Sequence, residues 1–364
     1  MTRFRSALAG LGLCVSVLLA STAANGSALH LDTATAPTIA TTTLPSSSGQ
    51  LEISTGHQYY RNSPTFDVYR ASGASGPLTA LVMIHGGGWK GSDGAFLVPY
   101  AERAALEGNF AVFSINYRLD AEDPVAWADE LHDVQAAIRT IVANADVYKV
   151  RTDGVLLLGD SAGGNLATLI SSVGTVNPVK GAAAGGARDL AVPILGVAAW
   201  SPPTDLAVLV PHDGVPPAAC SGDLACDFGW NSSAVVDYLG CEPAQCPEAY
   251  AQASPLTWVS AHTAPSYVAG GTSELVPLPQ ITSYVDRLTH AGVPTTSVVI
   301  NSSLHATELG PWLWPSTMAF LTAHTPPSAA HHTSTRWWRL GIGILVVGML
   351  LVVVLMMVLR RRRR

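Results

Sequence analysis

A doubly wound α/β fold with a mostly parallel sheet is what this sequence predicts, on two observations. Short β-rich runs alternate with helical segments over about 270 of the 364 residues, the order that produces parallel strands joined by crossover helices. Several runs, Leu78–Ile84 and Val155–Leu158 among them, are apolar at every position, as strands covered on both faces require. The chain is long enough to bury a large core, and with 13% charged residues and 48% hydrophobic ones it excludes a disordered chain.

The predicted strands are Thr65–Tyr69, Leu78–Ile84, Phe110–Asn116, Val155–Leu158, Ile194–Ala199, Ser266–Ala269 and Ser297–Ile300. Helical patterns fall at about 93–107, 127–145, 162–173, 278–291 and 311–323. Two stretches interrupt the rhythm. Residues 174–190 are rich in Gly and Ala, and residues 201–256 hold prolines and four of the five cysteines and are expected to cap the sheet's C-terminal edge.

The ends have separate characters. Residues 1–28 run from Arg3 and Arg5 through an apolar stretch to small residues, the order of a secretory signal peptide; cleavage is not fixed by the sequence. Residues 29–50, rich in Thr, Ser and Ala, are expected to form a stalk ahead of a catalytic domain at 51–324, and 325–339 to form a linker. Leu340 to Leu359 is a 20-residue run with no charge and no proline. At about 1.5 Å per residue it matches a bilayer's hydrocarbon core. Trp337 and Trp338 precede it and Arg360 to Arg364 follow, which predicts a single transmembrane helix with a cytoplasmic tail and an outward-facing body.

Nine of the 20 Lys and Arg residues lie in the signal and tail segments, so the body holds 11 against 26 Asp and Glu, a net charge near −15 that excludes a nucleic-acid partner. Outside the cytoplasm the clustered Cys220, Cys226, Cys241 and Cys246 read as two disulfides. Pairings 220–226 and 241–246 close the shortest loops. Zinc is the weaker alternative, because the spacings do not fit and no histidine lies among them.

Chemistry concentrates at three turns. Gly159-Asp160-Ser161-Ala162-Gly163-Gly164 follows an apolar strand and opens a helix, the strand–turn–helix setting of a G-x-S-x-G nucleophile elbow. Ser161 is the candidate nucleophile, with a helix N-terminus behind it. His85-Gly86-Gly87-Gly88-Trp89 ends another strand, and glycines there free backbone N–H groups for a developing oxyanion. Gly86, Gly87 and Ala162 are the candidate donors. His85 reads as an anchor for the loop, and Trp89 and Asp160 as substrate contacts. His305, after the last strand, is the candidate base, and Glu274 is the only carboxylate in the turn 270–277, where an acid would orient the imidazole.

With Asn116-Tyr117-Arg118-Leu119, Asp133-Val134-Gln135-Ala136-Ala137 and Ala253-Ser254-Pro255-Leu256, these motifs resemble the alpha/beta-hydrolase serine esterases of the hormone-sensitive-lipase-like and bacterial feruloyl-esterase-like group, over about 65–305. The resemblance implies the alpha/beta-hydrolase fold with a small cap and hydrolysis of carboxylic esters without cofactor or metal. One departure stands out: family members often carry Asp-x-x-Val-Pro, which puts the acid at position 273, here Ser273. Either Glu274 takes the role or the triad is weakened. Two other readings stay open, a non-catalytic binding module on the same fold and a peptidase or amidase using the same triad. The ester, whether small molecule, lipid or glycan, and the oligomeric state are not encoded in any motif.

Overall fold

A computed structural model describes residues 42–46, 49–119, 127–173, 190, 192–210 and 228–327. The described strands are β1 (Thr42–Ser46), β2 (Gly49–Gln58), β3 (Thr65–Ala71), β4 (Leu78–Ile84), β5 (Ala111–Ile115), β6 (Val150–Asp160), β7 (Ile194–Trp200), β8 (Ser266–Gly271) and β9 (Thr295–Ile300). They form one sheet in the order β1-β2-β3-β5-β4-β6-β7-β8-β9. β1, β2, β3 and β5 pair antiparallel, and from β5 through β4 to β9 every pairing is parallel.

The predicted strands all form; Leu78–Ile84 keeps its predicted bounds, Phe110–Asn116 shortens to Ala111–Ile115, and the other five are lengthened by ladder bonds to neighbours. The hairpin β1–β2 was not predicted, and it begins inside the segment read as a loose stalk, which is a correction for residues 42–46 and 49–50. Gly49, Ser54 and Gly56 mask the strand pattern of β2. Its partner β3 supplies the ladder, with Leu51 opposite Ala71 and a bulge between Ser54 and His57, and Leu51 and Ile53 are buried with Tyr69.

Side chains of β4 divide by alternation. Leu78, Ala80, Val82 and Ile84 pack toward α2 (Trp127–Ala143), α3 (Ala145–Tyr148) and α4 (Ser161–Val173). Leu81 and Met83 pack on the opposite face with α1 (Val98–Glu107) and α9 (Gly310–Ala323). On the first face, α8 (Leu278–His290) seats Ile281, Tyr284 and Leu288 against Val268 of β8. Burying both faces is what makes the parallel strands read as unbroken apolar runs.

β4 has β5 on one side and β6 on the other, so the connection that follows β5 crosses the sheet. The chain reverses its winding there, which opens a crevice beyond the C-terminal ends of β4 and β6. The two Gly-rich turns leave the sheet at those ends. Arg118, just past β5, holds this edge to α2: its backbone N, Nε and Nη2 donate to the Asp133 carboxylate at 2.8–3.0 Å, and Tyr60 Oη donates to Asp133 Oδ1 at 2.7 Å.

The cap segment contributes α5 (Phe228–Leu239), α6 (Pro247–Ala253) and α7 (Pro255–Trp258). It is tied to the sheet layer by Asn165 of α4, whose Nδ2 donates to Pro203 O at 2.9 Å and Ala253 O at 3.2 Å. A disulfide joins Cys241 and Cys246, closing the turn between α5 and α6. Cys220 and Cys226, the loop 174–189, the predicted signal peptide and the predicted transmembrane run 340–359 lie outside the described residues. Among the described residues no helix is long and apolar enough to cross a membrane.

Candidate active site

Ser161 sits at the tip of the β6–α4 turn with φ +51°, a left-handed conformation that a non-glycine residue adopts only when the surroundings enforce it. Two close approaches enforce it. A Cβ on Gly159 would lie 2.2 Å from Gly163 O, and one on Gly163 would lie 2.1 Å from Ile84 O, so the glycines let strand, turn and helix meet without space for side chains. The turn presents Ser161, largely buried, with the first turn of α4 behind it.

His305 lies in the connection from β9 to α9, and Glu274 in the turn after β8. The structure brings both to Ser161. His305 Nε2 is 2.9 Å from Ser161 Oγ, and His305 Nδ1 is 2.5 Å from Glu274 Oε2. An ionised carboxylate only accepts hydrogen bonds, so Nδ1 carries the proton and the Nε2 lone pair faces the serine hydroxyl. Glu274 is 1% exposed, and its other oxygen accepts from Gly271 N at 2.6 Å and from Ser201 Oγ at 2.9 Å. The His305 backbone N–H donates to Glu308 Oε2 at 2.9 Å, which fixes the loop from its other side.

The loop after β4 corrects three expectations. Gly86 N–H, expected to point at an oxyanion, donates instead to Asp160 Oδ1 at 2.9 Å. Asp160, expected at the substrate, is 2% exposed beneath that loop, and burial pushes its carboxyl up to about 7. A carboxylate directly before the nucleophile thus ties the two Gly turns together. Trp89, expected to line the pocket, is 2% exposed and stacks on Tyr238 of α5 with ring centroids 4.4 Å apart. Its Nε1–H has no hydrogen-bond partner among the described residues. Gly87 and Gly88 have φ of +112° and +62°, outside the range comfortable for other residues, and Ala162 N–H in the first turn of α4 has no intrahelical acceptor.

His85 anchors the loop. Its ring stacks on Tyr117 at 4.3 Å, its Nδ1 bonds Gly86 O at 2.7 Å, and Tyr117 Oη donates to His85 O at 2.9 Å. Burial lowers its pKa to about 4, so the ring is neutral at physiological pH and donates from Nδ1. Sequence reasoning missed Ser201. Its hydroxyl contacts Glu274 and the Ala306 backbone, and the signal was only a serine closing an apolar strand. Among the described residues no group of three or more His, Cys, Asp or Glu side chains is arranged to hold a metal.

The chain is similar to known proteins in sequence and in fold. Neutral cholesterol ester hydrolase 1 of Rattus norvegicus is 36% identical over 95 residues, 25% of this chain and 23% of that protein. Carboxylesterase NlhH of Mycobacterium tuberculosis is 31% identical over 96 residues, 26% of this chain and 30% of that one. The chain thus spans less than a third of the length of these curated relatives. A truncated carbohydrate esterase from gut microbiota superposes with a TM-score of 0.62 at 22% identity, covering 77% of this chain and 98% of that one. Brefeldin A esterase, a bacterial homologue of human hormone-sensitive lipase, gives 0.58 at 21%, covering 77% and 78%. Likeness at this identity establishes the alpha/beta-hydrolase fold. The BD-FAE family model matches residues 66–288, more than half of the chain, and from that match the chain belongs to the BD-FAE family.

Proposed function

We propose that this protein is a serine hydrolase of carboxylic esters, tethered by a C-terminal helix with its catalytic domain outside the cytoplasm. The observation that carries the catalytic part is the unbroken chain of contacts from Glu274 through His305 to Ser161, at 2.5 Å and 2.9 Å. A binding module that had lost catalysis would have no reason to keep all three groups in contact at the tip of a strained turn.

Ser161 Oγ attacks the ester carbonyl carbon while His305 Nε2 takes the hydroxyl proton. The carbonyl oxygen becomes an oxyanion, held by the backbone N–H groups of Gly87, Gly88 and Ala162; Gly86 is excluded because Asp160 occupies its N–H. Collapse of the tetrahedral species breaks the ester C–O bond, and the leaving alkoxide takes the proton from His305. Water then attacks the acyl-Ser161 carbonyl, gives its proton to Nε2, and the acid leaves as Ser161 regains its hydrogen. Glu274 stabilises the imidazolium formed in each half-reaction. Each step is carried by side chains and backbone N–H groups of this chain.

Location rests on the sequence alone: the order of residues 1–28, the uncharged run Leu340 to Leu359 and the five terminal arginines. A tethered enzyme facing outward meets lipid, glycan and small-molecule esters of the envelope.

The test is labelling of the full chain with a fluorophosphonate probe beside hydrolysis of p-nitrophenyl butyrate. Wild type is expected to be labelled and to hydrolyse the ester. Ser161→Ala is expected to lose the label entirely and at least about 10³-fold in turnover. An unlabelled, folded wild type would end this reading in favour of a binding module.

A further inference from the structure

We propose that Ser201 is a positioning residue of this site, its buried hydroxyl coupling the acid Glu274 to the segment that carries His305; the proposal rests on the triad reading above. Ser201 follows Trp200, the last residue of β7, and is 0% exposed. Its φ is +50°, a left-handed conformation that glycine would adopt without strain and that serine adopts only when held there. What holds it is its own N–H, which donates to Ala269 O of β8 at 2.6 Å. The strained conformation aims the side chain between two loops.

Both hydrogen-bonding roles of the hydroxyl are used in the site. Ser201 Oγ donates to Glu274 Oε1 at 2.9 Å and accepts from Ala306 N–H at 3.0 Å. Ala306 directly follows His305 and is itself left-handed, at φ +48°. One oxygen therefore touches the carboxylate that orients the imidazole and the backbone that carries it. Gly271 N–H also donates to Oε1, at 2.6 Å, so both remaining donors converge on Oε1 and Oε2 is left to His305 Nδ1.

The same arrangement explains why the acid here is a glutamate. A Cβ on Gly270 would lie 2.4 Å from Glu274 Oε1 and 2.3 Å from Ile281 Cδ1. The longer side chain of glutamate folds back into the space that glycine leaves, and reaches Ser201 and Gly271 there. Position 273 is held differently, its backbone N–H donating to Ser302 O at 3.1 Å. Removing the Ser201 hydroxyl strips Oε1 of one of its two donors and leaves the Ala306 N–H without its acceptor, so each partner of the His305–Glu274 contact loses one of its supports.

The experiment compares wild type, Ser161→Ala, Ser201→Ala and Ser201→Gly in the full chain. Ser201→Gly is the decisive variant, because glycine takes φ +50° freely while supplying no hydroxyl, so stability and positioning separate. In both Ser201 variants kcat for p-nitrophenyl butyrate is expected to fall about 10- to 100-fold with KM within about two-fold. The downfield Nδ1–H proton resonance of His305 is expected to broaden or vanish, while Ser201→Gly melts within a few degrees of wild type. A structural serine would move the melting temperature and leave kcat and the resonance in place. Retention of kcat within two-fold in Ser201→Gly, with the resonance intact, overturns the proposal. If Ser201→Ala does not fold, Ser201→Gly decides alone. An inactive wild type, or an active Ser161→Ala, overturns the triad reading and this proposal with it; an active wild type with a dead Ser161→Ala and an unaffected Ser201→Gly overturns this proposal only.

Discussion

Burial of Asp160 beneath the loop that follows β4 gives one side chain a measurable pH dependence. Its carboxyl stands at about 7 in the folded chain, against 3.8 when solvated, because removal from water penalises the charged form more than the Gly86 N–H stabilises it. A raised acid favours folding fully below about pH 4 and loses that contribution as pH rises through about 7. Asp160→Asn, neutral at every pH and still able to accept from Gly86, lacks this dependence. The melting temperature of the variant relative to wild type is therefore expected to climb between pH 5 and pH 8, by the equivalent of a few kcal/mol at most. Thermal unfolding of both proteins across that range checks it, and a flat difference would show that Asp160 is charged throughout. Reading Asp160 from sequence as a substrate contact went astray for a physical reason. Its position beside the nucleophile was legible, whereas its burial depends on a loop 74 residues away, reached by the Gly86 bond.

Between elements, one tie at this end of the sheet is the carboxylate of Asp133. It joins the exit of β5 to α2 by accepting three bonds from Arg118 and one from Tyr60, with its own side chain 1% exposed. Charge-assisted and bidentate bonds are the strong class. Asp133→Ala leaves the Arg118 side chain and the Tyr60 hydroxyl without that acceptor, and is expected to cost about 3 kcal/mol, seen as a lower urea midpoint with an unchanged slope. Ser161 labelling by the fluorophosphonate is expected to survive in the folded fraction, because the tie lies outside the catalytic contacts. The elements themselves show what a sequence exposes. Strands buried on both faces, such as β4 and β7, announce themselves as apolar runs. The hairpin β1–β2 does not, because its stability comes from pairing with β3 rather than from its own residues. The site follows the same division. Ser161 and His305 are marked by local turn chemistry, and Glu274 by being the only carboxylate in the turn 270–277. Ser201 and the occupied Gly86 N–H depend on contacts between distant loops, which leave no local pattern.

For the whole molecule, the place of the last described helix relative to the sheet bears on where the chemistry happens. The catalytic groups lie at the C-terminal ends of the parallel strands, and α9, the last described helix, starts at that same end, just after His305, and finishes at Ala323. Residues 328–339 then offer 12 positions before the run that begins at Leu340, a reach of about 40 Å if fully extended. That is ample for a domain tethered as proposed to stand clear of a bilayer or to rest on it, so the proposed tether sets a thin shell without dictating orientation. In the proposed arrangement the 20 uncharged residues act as the anchor, and the arginines that follow set its direction. The full chain is therefore expected to stay with membranes through alkaline carbonate extraction, and a chain ending at Pro327 to be released while keeping fluorophosphonate reactivity at Ser161. A reporter fused after Arg364 is expected to be active only in the cytoplasm. Release of the full chain by carbonate would remove the anchor from the proposal and leave the esterase chemistry untouched, because among the described residues no catalytic contact involves a residue beyond His305 and its supporting turn at Glu308.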